Sequence, residues 1–177
     1  MTEKPTVWTV GHSNRPLEEF LATLESFGIE LVADVRRFPG SRRHPQFGPE
    51  ALPAALAARS IDYAWLAALG GRRRVAPGPQ HLGWRNASFR SYAAYMWTED
   101  FAGGLGELAG IASARRTAMM CSEALWWRCH RALVSDALLL CGYPVVHIFG
   151  PGKSAPHSYT SPAQVVAGTL SYAAPAA

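Results

Sequence analysis

The sequence predicts an α/β protein: a three-layer sandwich, Rossmann-like, with a mainly parallel sheet of about five strands and long functional loops. Two observations predict it. Short β-rich runs alternate with helical segments along most of the chain, and strands separated by helices need crossover connections, which favour parallel pairing and cover both faces of a sheet.

The alternation starts at Val7 to Val10, a β-rich run that stops at Gly11-His12-Ser13-Asn14. Pro16 then opens an amphipathic helix on which Leu17, Phe20, Leu21 and Leu24 recur, closed by Gly28. Ile29 to Val35 reads as the second strand, followed by the basic loop RFPGSRRHPQFGP and a helix from Glu50 to Ala58. Ile61 to Leu66 is the third strand. Gly70 to Ala87 holds too much Gly, Pro and Arg for a regular element and is a long loop, of the kind that is functional or disordered. Phe89 to Met96 and Phe101 to Ala112 carry helical periodicity, with an interruption expected at Gly103-Gly104. Thr117 to Cys121 is the fourth strand and Cys129 to Cys141 a helix; after Gly142 and Pro144, Val145 to Ile148 is the last strand. Residues 1–150 thus read as one α/β domain. Residues 151–177 read as a tail on the same domain, with Pro162 to Tyr172 the stretch that suits a short helix.

A length of 177 residues, 49% of them hydrophobic, suits a single core. The net charge of +4 and a pI near 9.2 fit an anionic partner without the excess of a chromatin protein. Lys4 and Lys153 are the only lysines; guanidinium forks grip phosphate and carboxylate, although a GC-rich genome would produce the same bias. Cys121, Cys129 and Cys141 form an odd set without paired spacing, and the N-terminus lacks the zones of a signal peptide. A cytoplasmic, reduced protein is expected. No apolar run approaches the ~20 residues that cross a bilayer, so no membrane is expected.

In a parallel sheet the strand C-termini open on one edge, where ligands bind. The residues just after each apolar run are His12 and Ser13, Asp34 and Arg36, Cys121 and Glu123, with His147 on the last strand. Asp34, at the edge of a buried layer, must be paired, hydrogen-bonded or protonated. It is either half of a structural ion pair with Arg36 or a general base oriented by it. Cys121 is either a small core residue or a nucleophile activated at a strand end. Glu123 puts negative charge into the anion cradle of a phosphatase and disfavours that chemistry. His130 and Arg131 begin a helix and favour an anion there. No close CxxC or HxxxH pair is present, so neither a metal nor another cofactor is called for. Arg36, Arg37, Arg42 and Arg43 in one loop, and Arg72 to Arg74 in another, accompany Phe38, Phe47, Trp84, Trp126 and Trp127. Guanidinium on phosphate and rings on bases suit DNA or a nucleotide, while two solvated basic loops are the plain alternative.

TVGHSNR at 9 to 15, LVADVRRFPGSRR at 31 to 43, IDYAWLAALGG at 61 to 71, SFRSYAAYM at 88 to 96, MMCSEALWWRCHR at 119 to 131 and VVHI at 145 to 148 resemble, in order, the blocks of the family catalogued as domain of unknown function 488. The resemblance implies that His12, Ser13, Asp34, Arg36, Pro39, Ser41, Arg42, Tyr63, Tyr92, Cys121, Glu123, Cys129, His130 and Arg131 hold the family's recurring polar and special positions. Where members commonly have a polar, proline-containing turn, this chain carries Ala124-Leu125-Trp126-Trp127, suited to a flat or aromatic substrate.

Three functions follow. The first is a hydrolase acting on a nucleic acid or nucleotide, base excision being its concrete form. In it Asp34 or Glu123 is the general base, and His12 and His130 polarise or move protons. Ser13, Arg36, Ser41, Arg42, Tyr63, Tyr92, Trp84, Trp127 and Arg131 hold the substrate. The second is a cysteine-dependent hydrolase or transferase using Cys121 on a small anionic metabolite. The third is a non-catalytic interaction module. The sequence specifies no oligomeric state.

Overall fold

A computed structural model describes residues 2–175. Five parallel strands run through it: β1 (Val7–Gly11), β2 (Leu31–Asp34), β3 (Asp62–Trp65), β4 (Thr117–Cys121) and β5 (Val145–Gly150). Five helices connect them: α1 (Leu17–Ser26), α2 (Ala51–Ala57), α3 (Ala87–Tyr95), α4 (Glu99–Ala114) and α5 (Arg131–Leu140). A sixth strand, β6 (Lys153–Pro156), pairs antiparallel with β5, giving the order β3-β2-β4-β1-β5-β6.

Period-two alternation gives the sheet two apolar faces. Leu31 and Ala33 of β2 and Met119 and Cys121 of β4 pack with α3, α4 and α5. Val10 of β1, Val32 of β2 and Ala118 and Met120 of β4 pack instead with α1 and α2. The expected three-layer, Rossmann-like sandwich is therefore present. The crossovers from β1 to β2 and from β2 to β3 step toward one edge over the α1/α2 face, and those from β3 to β4 and β4 to β5 step back over the other. A constant crossover hand requires this change of face.

The helices start and stop for local reasons. Pro16 precedes α1, Glu18 and Glu19 occupy its first turn, and Gly28 leaves it with φ +64°. The Asn86 side chain caps α3 by accepting from the Ser88 and Phe89 amides, and Thr98 caps α4.

Two expectations are corrected. Gly103-Gly104 does not interrupt α4, which is continuous. Gly104 is a packing residue: a Cβ there would lie 3.0 Å from that of Ala68, and burial of Phe101, Leu108 and Ala112 outweighs the glycine cost of about 1 kcal/mol. Nor is Pro162 to Tyr172 a helix. It holds a hairpin of β7 (Gln164–Val166) and β8 (Thr169–Ser171), whose turn residues Ala167 and Gly168 both take positive φ, as a type I′ turn requires. Leu170 and Tyr172 bury against the α3–α5 side of the core.

Candidate active site

Strand β4 lies between β1 and β2, and both neighbours lead to helices on the face opposite that of α5. The loops leaving these three strand ends diverge, and a crevice opens where they part. Backbone bonds zip the loops together below it: the amides of His12, Ser13 and Val35 donate to the carbonyls of Cys121, Ser122 and Met120 at 3.0, 2.9 and 2.9 Å. The crevice is a cavity of about 380 Å³. His12, Arg36, Cys121, Ser122, Glu123, Cys129 and His130 line it, with Arg37, Phe38, Ser41 and His44 from one loop, Gly71 and Arg72 from another, Ser88, Phe89 and Tyr92 from α3, and Arg128 from the turn before α5.

Two thiols sit at the buried end of this cavity, with Cys121 and Cys129 Sγ 2.6 Å apart. Beneath them lies Arg131, 1% exposed. Its Nε donates to Cys121 Sγ at 3.0 Å and its Nη1 to Thr9 Oγ1 at 3.1 Å, while Nη2 reaches the Glu123 carbonyl at 2.5 Å. No carboxylate is among these partners. A buried guanidinium needs an anion, and the sulfurs are the groups placed to supply one. Burial pushes both thiols up, and donation toward Cys129 pushes Cys121 up further. For Cys129 the burial effect is outweighed by the hydrogen bond from Cys121 and by Arg131, which bring it down to about 7. Cys129 therefore gives up its proton before Cys121, which keeps the proton that bridges the two sulfurs.

His130 stands against this pair. Its Nδ1 is 3.5 Å from Cys129 Sγ, and its Nε2 donates to the Val35 carbonyl at 2.9 Å, which fixes the ring. Burial lowers its pKa, so the imidazole is held toward the neutral form. Gly71 is pressed onto it, since a Cβ there would lie 3.0 Å from Nδ1. The Tyr92 ring lies against His130, with its hydroxyl donating to the Leu69 carbonyl.

His12 and Arg36 are lining groups whose bonding is committed within the protein. His12 Nδ1 donates to the Ser13 carbonyl at 2.8 Å, Nε2 faces Arg36 Nη1 at 3.3 Å, and the ring stacks on Phe47. Burial drops its pKa to about 4, so it is neutral. Asp34 is fully buried and accepts from the Arg36 amide, Nε and Nη2 at 3.0, 2.9 and 2.7 Å and from the Tyr63 hydroxyl at 2.5 Å. Burial, then this bond, pushes the Tyr63 phenol up. Neither Asp34 nor Tyr63 lines the cavity; they brace Arg36 from behind.

The strand-end residues His12, Arg36, Cys121 and Glu123 meet as the topology dictates, joined by His130, Ser41 and Tyr92. Other placements differ. Ser13, at φ +50°, and Arg42 lie off the cavity wall. Trp84 is half-buried and packs against the core at Phe89 and Tyr172. Trp127 is exposed outside the cavity, and Trp126 stacks on His147 at 4.3 Å. His147 faces away into a buried chain from Thr9 Oγ1 (2.6 Å) through His147 and His157 (2.8 Å) to Asp136 (2.8 Å). Burial, then His157 and Arg131, drops His147 to about 3. Cys129, Arg72, Arg128 and His44 complete the site although the strand-end rule does not select them. The adjacency of Cys129 to His130 and Arg131 was the available signal for the first.

The fold and the cavity define a class: a doubly wound α/β protein with a paired-thiol site at the C-terminal edge of its sheet. The sequence profile of the family described as domain of unknown function DUF488 matches residues 16–138, and the chain belongs to that family. No curated protein and no solved structure matches it. Among the described residues, no helix is long and apolar enough to cross a membrane.

Proposed function

We propose that the protein is a cysteine-dependent hydrolase or transferase acting on a small anionic substrate, with the Cys121–Cys129 pair supplying the nucleophile. The observation that carries this reading is Arg131: a guanidinium 1% exposed, without a carboxylate partner among the described residues, bonded to sulfur. Cys129, beside His130, is the sulfur that attacks. Arg37, Arg72 and Arg128 on the wall attract the anion, and Glu123 on the same wall activates the water that releases product from the sulfur. Cys121 then holds the shared proton rather than acting alone as nucleophile. The test is incubation with small anionic acyl and phosphoryl nitrophenyl esters, followed by mass mapping. An adduct on Cys129 that is absent from Cys129→Ser, while Asp34→Asn loses activity only in proportion to its folded fraction, is the expected result. Adducts confined to Cys141, or full turnover by Cys129→Ser, would refute it.

A second reading keeps the nucleic-acid chemistry, because a carboxylate and an aromatic rim share the cavity: Glu123 on the wall, and Phe38 63% exposed at the edge. Glu123 is then the base for cleavage of an N-glycosidic bond in DNA or a nucleotide. Oligonucleotides carrying modified bases decide it: abasic product lost in Glu123→Gln supports it, and no product together with no salt-sensitive DNA binding ends it.

A further inference from the structure

We propose that Cys121 and Cys129 form a two-thiol redox site that reacts with a small hydroperoxide and closes into a reversible disulfide. The juxtaposition that carries this is the 2.6 Å between the two sulfurs at the floor of an open cavity. Ordinary heavy-atom contact lies at roughly 3.5–4.0 Å. A disulfide lies near 2.0 Å, so bond formation asks for a closing movement of only about half an ångström. The chain supplies the geometry. Cys121 ends β4 and Cys129 stands just before α5, and the 3-10 turn at Trp126–Arg128 folds the intervening segment back so that the two meet.

The chemistry balances with the hydroperoxide as oxidant. The Cys129 thiolate attacks one peroxide oxygen; the O–O bond breaks and leaves Cys129 as a sulfenic acid plus hydroxide. That hydroxide takes the proton held on Cys121 and becomes water, and Arg131 Nε, 3.0 Å from Cys121 Sγ, stabilises the new thiolate. Cys121 then attacks the Cys129 sulfur, the S–S bond forms, the S–O bond breaks and a second hydroxide leaves. Two thiol sulfurs are oxidised and the peroxide is reduced. An external dithiol reverses the bond by exchange. The oxidised site has no nucleophile, so the same reaction shuts down thiol chemistry in the cavity. The inference rests on the reactive pair of the proposed function but on none of its substrates.

The test treats the reduced full chain with hydrogen peroxide, alkylates free thiols with iodoacetamide and digests with trypsin. Cleavage after Arg116, Arg128 and Arg131 places Cys121 on residues 117–128 and Cys129 on residues 129–131. The expected result is a cross-linked pair of these two peptides that dithiothreitol separates, with exposed Cys141 consumed about tenfold more slowly. Cys121→Ser should instead accumulate a sulfenic acid at Cys129 that dimedone traps. Recovery of both peptides alkylated and uncrossed, or oxidation of Cys141 first, overturns the proposal. Peptide mapping uses no metabolite, so the two readings fail separately. A chain that cross-links but never turns over loses the proposed function alone, and one that turns over without cross-linking loses the redox site alone.

Discussion

Gly11 shows how tightly the site is drawn at the level of single residues. A Cβ there would collide with the carbonyl oxygen of Glu123, the same oxygen that accepts from Arg131. Gly11→Ala must push the 123–124 segment off the strand end, and we expect a loss of about 3 kcal/mol in urea unfolding together with slower Cys129 alkylation. A change under 0.5 kcal/mol, within the usual scatter of surface substitutions, would show that the segment yields freely. Residues placed by strand geometry were legible: His12, Cys121 and Glu123 each follow an apolar run, and a parallel sheet has one C-terminal edge. Residues whose role depends on what their hydrogen bonds leave free were not. Asp34 sits at the predicted edge, yet Arg36 and Tyr63 occupy both of its oxygens. Trp84 reads from the sequence as an aromatic that holds substrate, and only the fold shows it packed against Phe89 and Tyr172.

Among the elements, the C-terminal segment is tied to the body through Asp136 of α5. Asp136 accepts from His157 Nε2 at 2.8 Å, from the Thr160 amide and hydroxyl at 2.9 and 2.5 Å, and from the Tyr172 hydroxyl at 2.8 Å. A buried carboxylate with four donors acts as a clamp, and removing its charge leaves those donors poorly matched. Asp136→Asn is expected to cost about 3 kcal/mol and to speed amide exchange across β7–β8 well before it does so in β4. Equal acceleration in both would mean that the hairpin is held by other contacts. A short helix was expected over Pro162 to Tyr172. Val165, Val166 and the Ala167-Gly168 turn favour strands instead, and Tyr172 gains its partner only when the segment lies over α5. Gly103-Gly104 misled for the related reason that tertiary packing overrode local propensity.

For the whole molecule, the sheet order makes β4 the strand at which crossovers part, so the thiols, the arginines and Glu123 share one crevice. The fold also buries neutral histidines, one in the crevice and one behind it, and this has a pH signature. His12 and His147 fall to about 4 and about 3 from an ordinary 6.5. Below 6.5 the unfolded chain takes up protons that the folded chain refuses, so stability falls as pH drops from 6.5 toward 4. Each histidine contributes about 1.4 kcal/mol per pH unit, and unfolding free energies from urea titrations at about pH 7 and about pH 5 should differ by roughly 3–4 kcal/mol. A flat profile would mean that both rings protonate in the fold. The alternation of strands and helices made the sandwich legible, whereas the strand order, and with it the crevice at β4, depends on long-range pairing that no local pattern records.

The most direct measurement is the rate of Cys129 alkylation by iodoacetamide as a function of pH, read by peptide mapping with Cys141 as the internal reference. A thiolate stabilised by Cys121 and Arg131 predicts an inflection at about 7, shifted upward in Cys121→Ala. An inflection at the ordinary 9.0, unmoved by Cys121→Ala, would contradict the paired-thiol site.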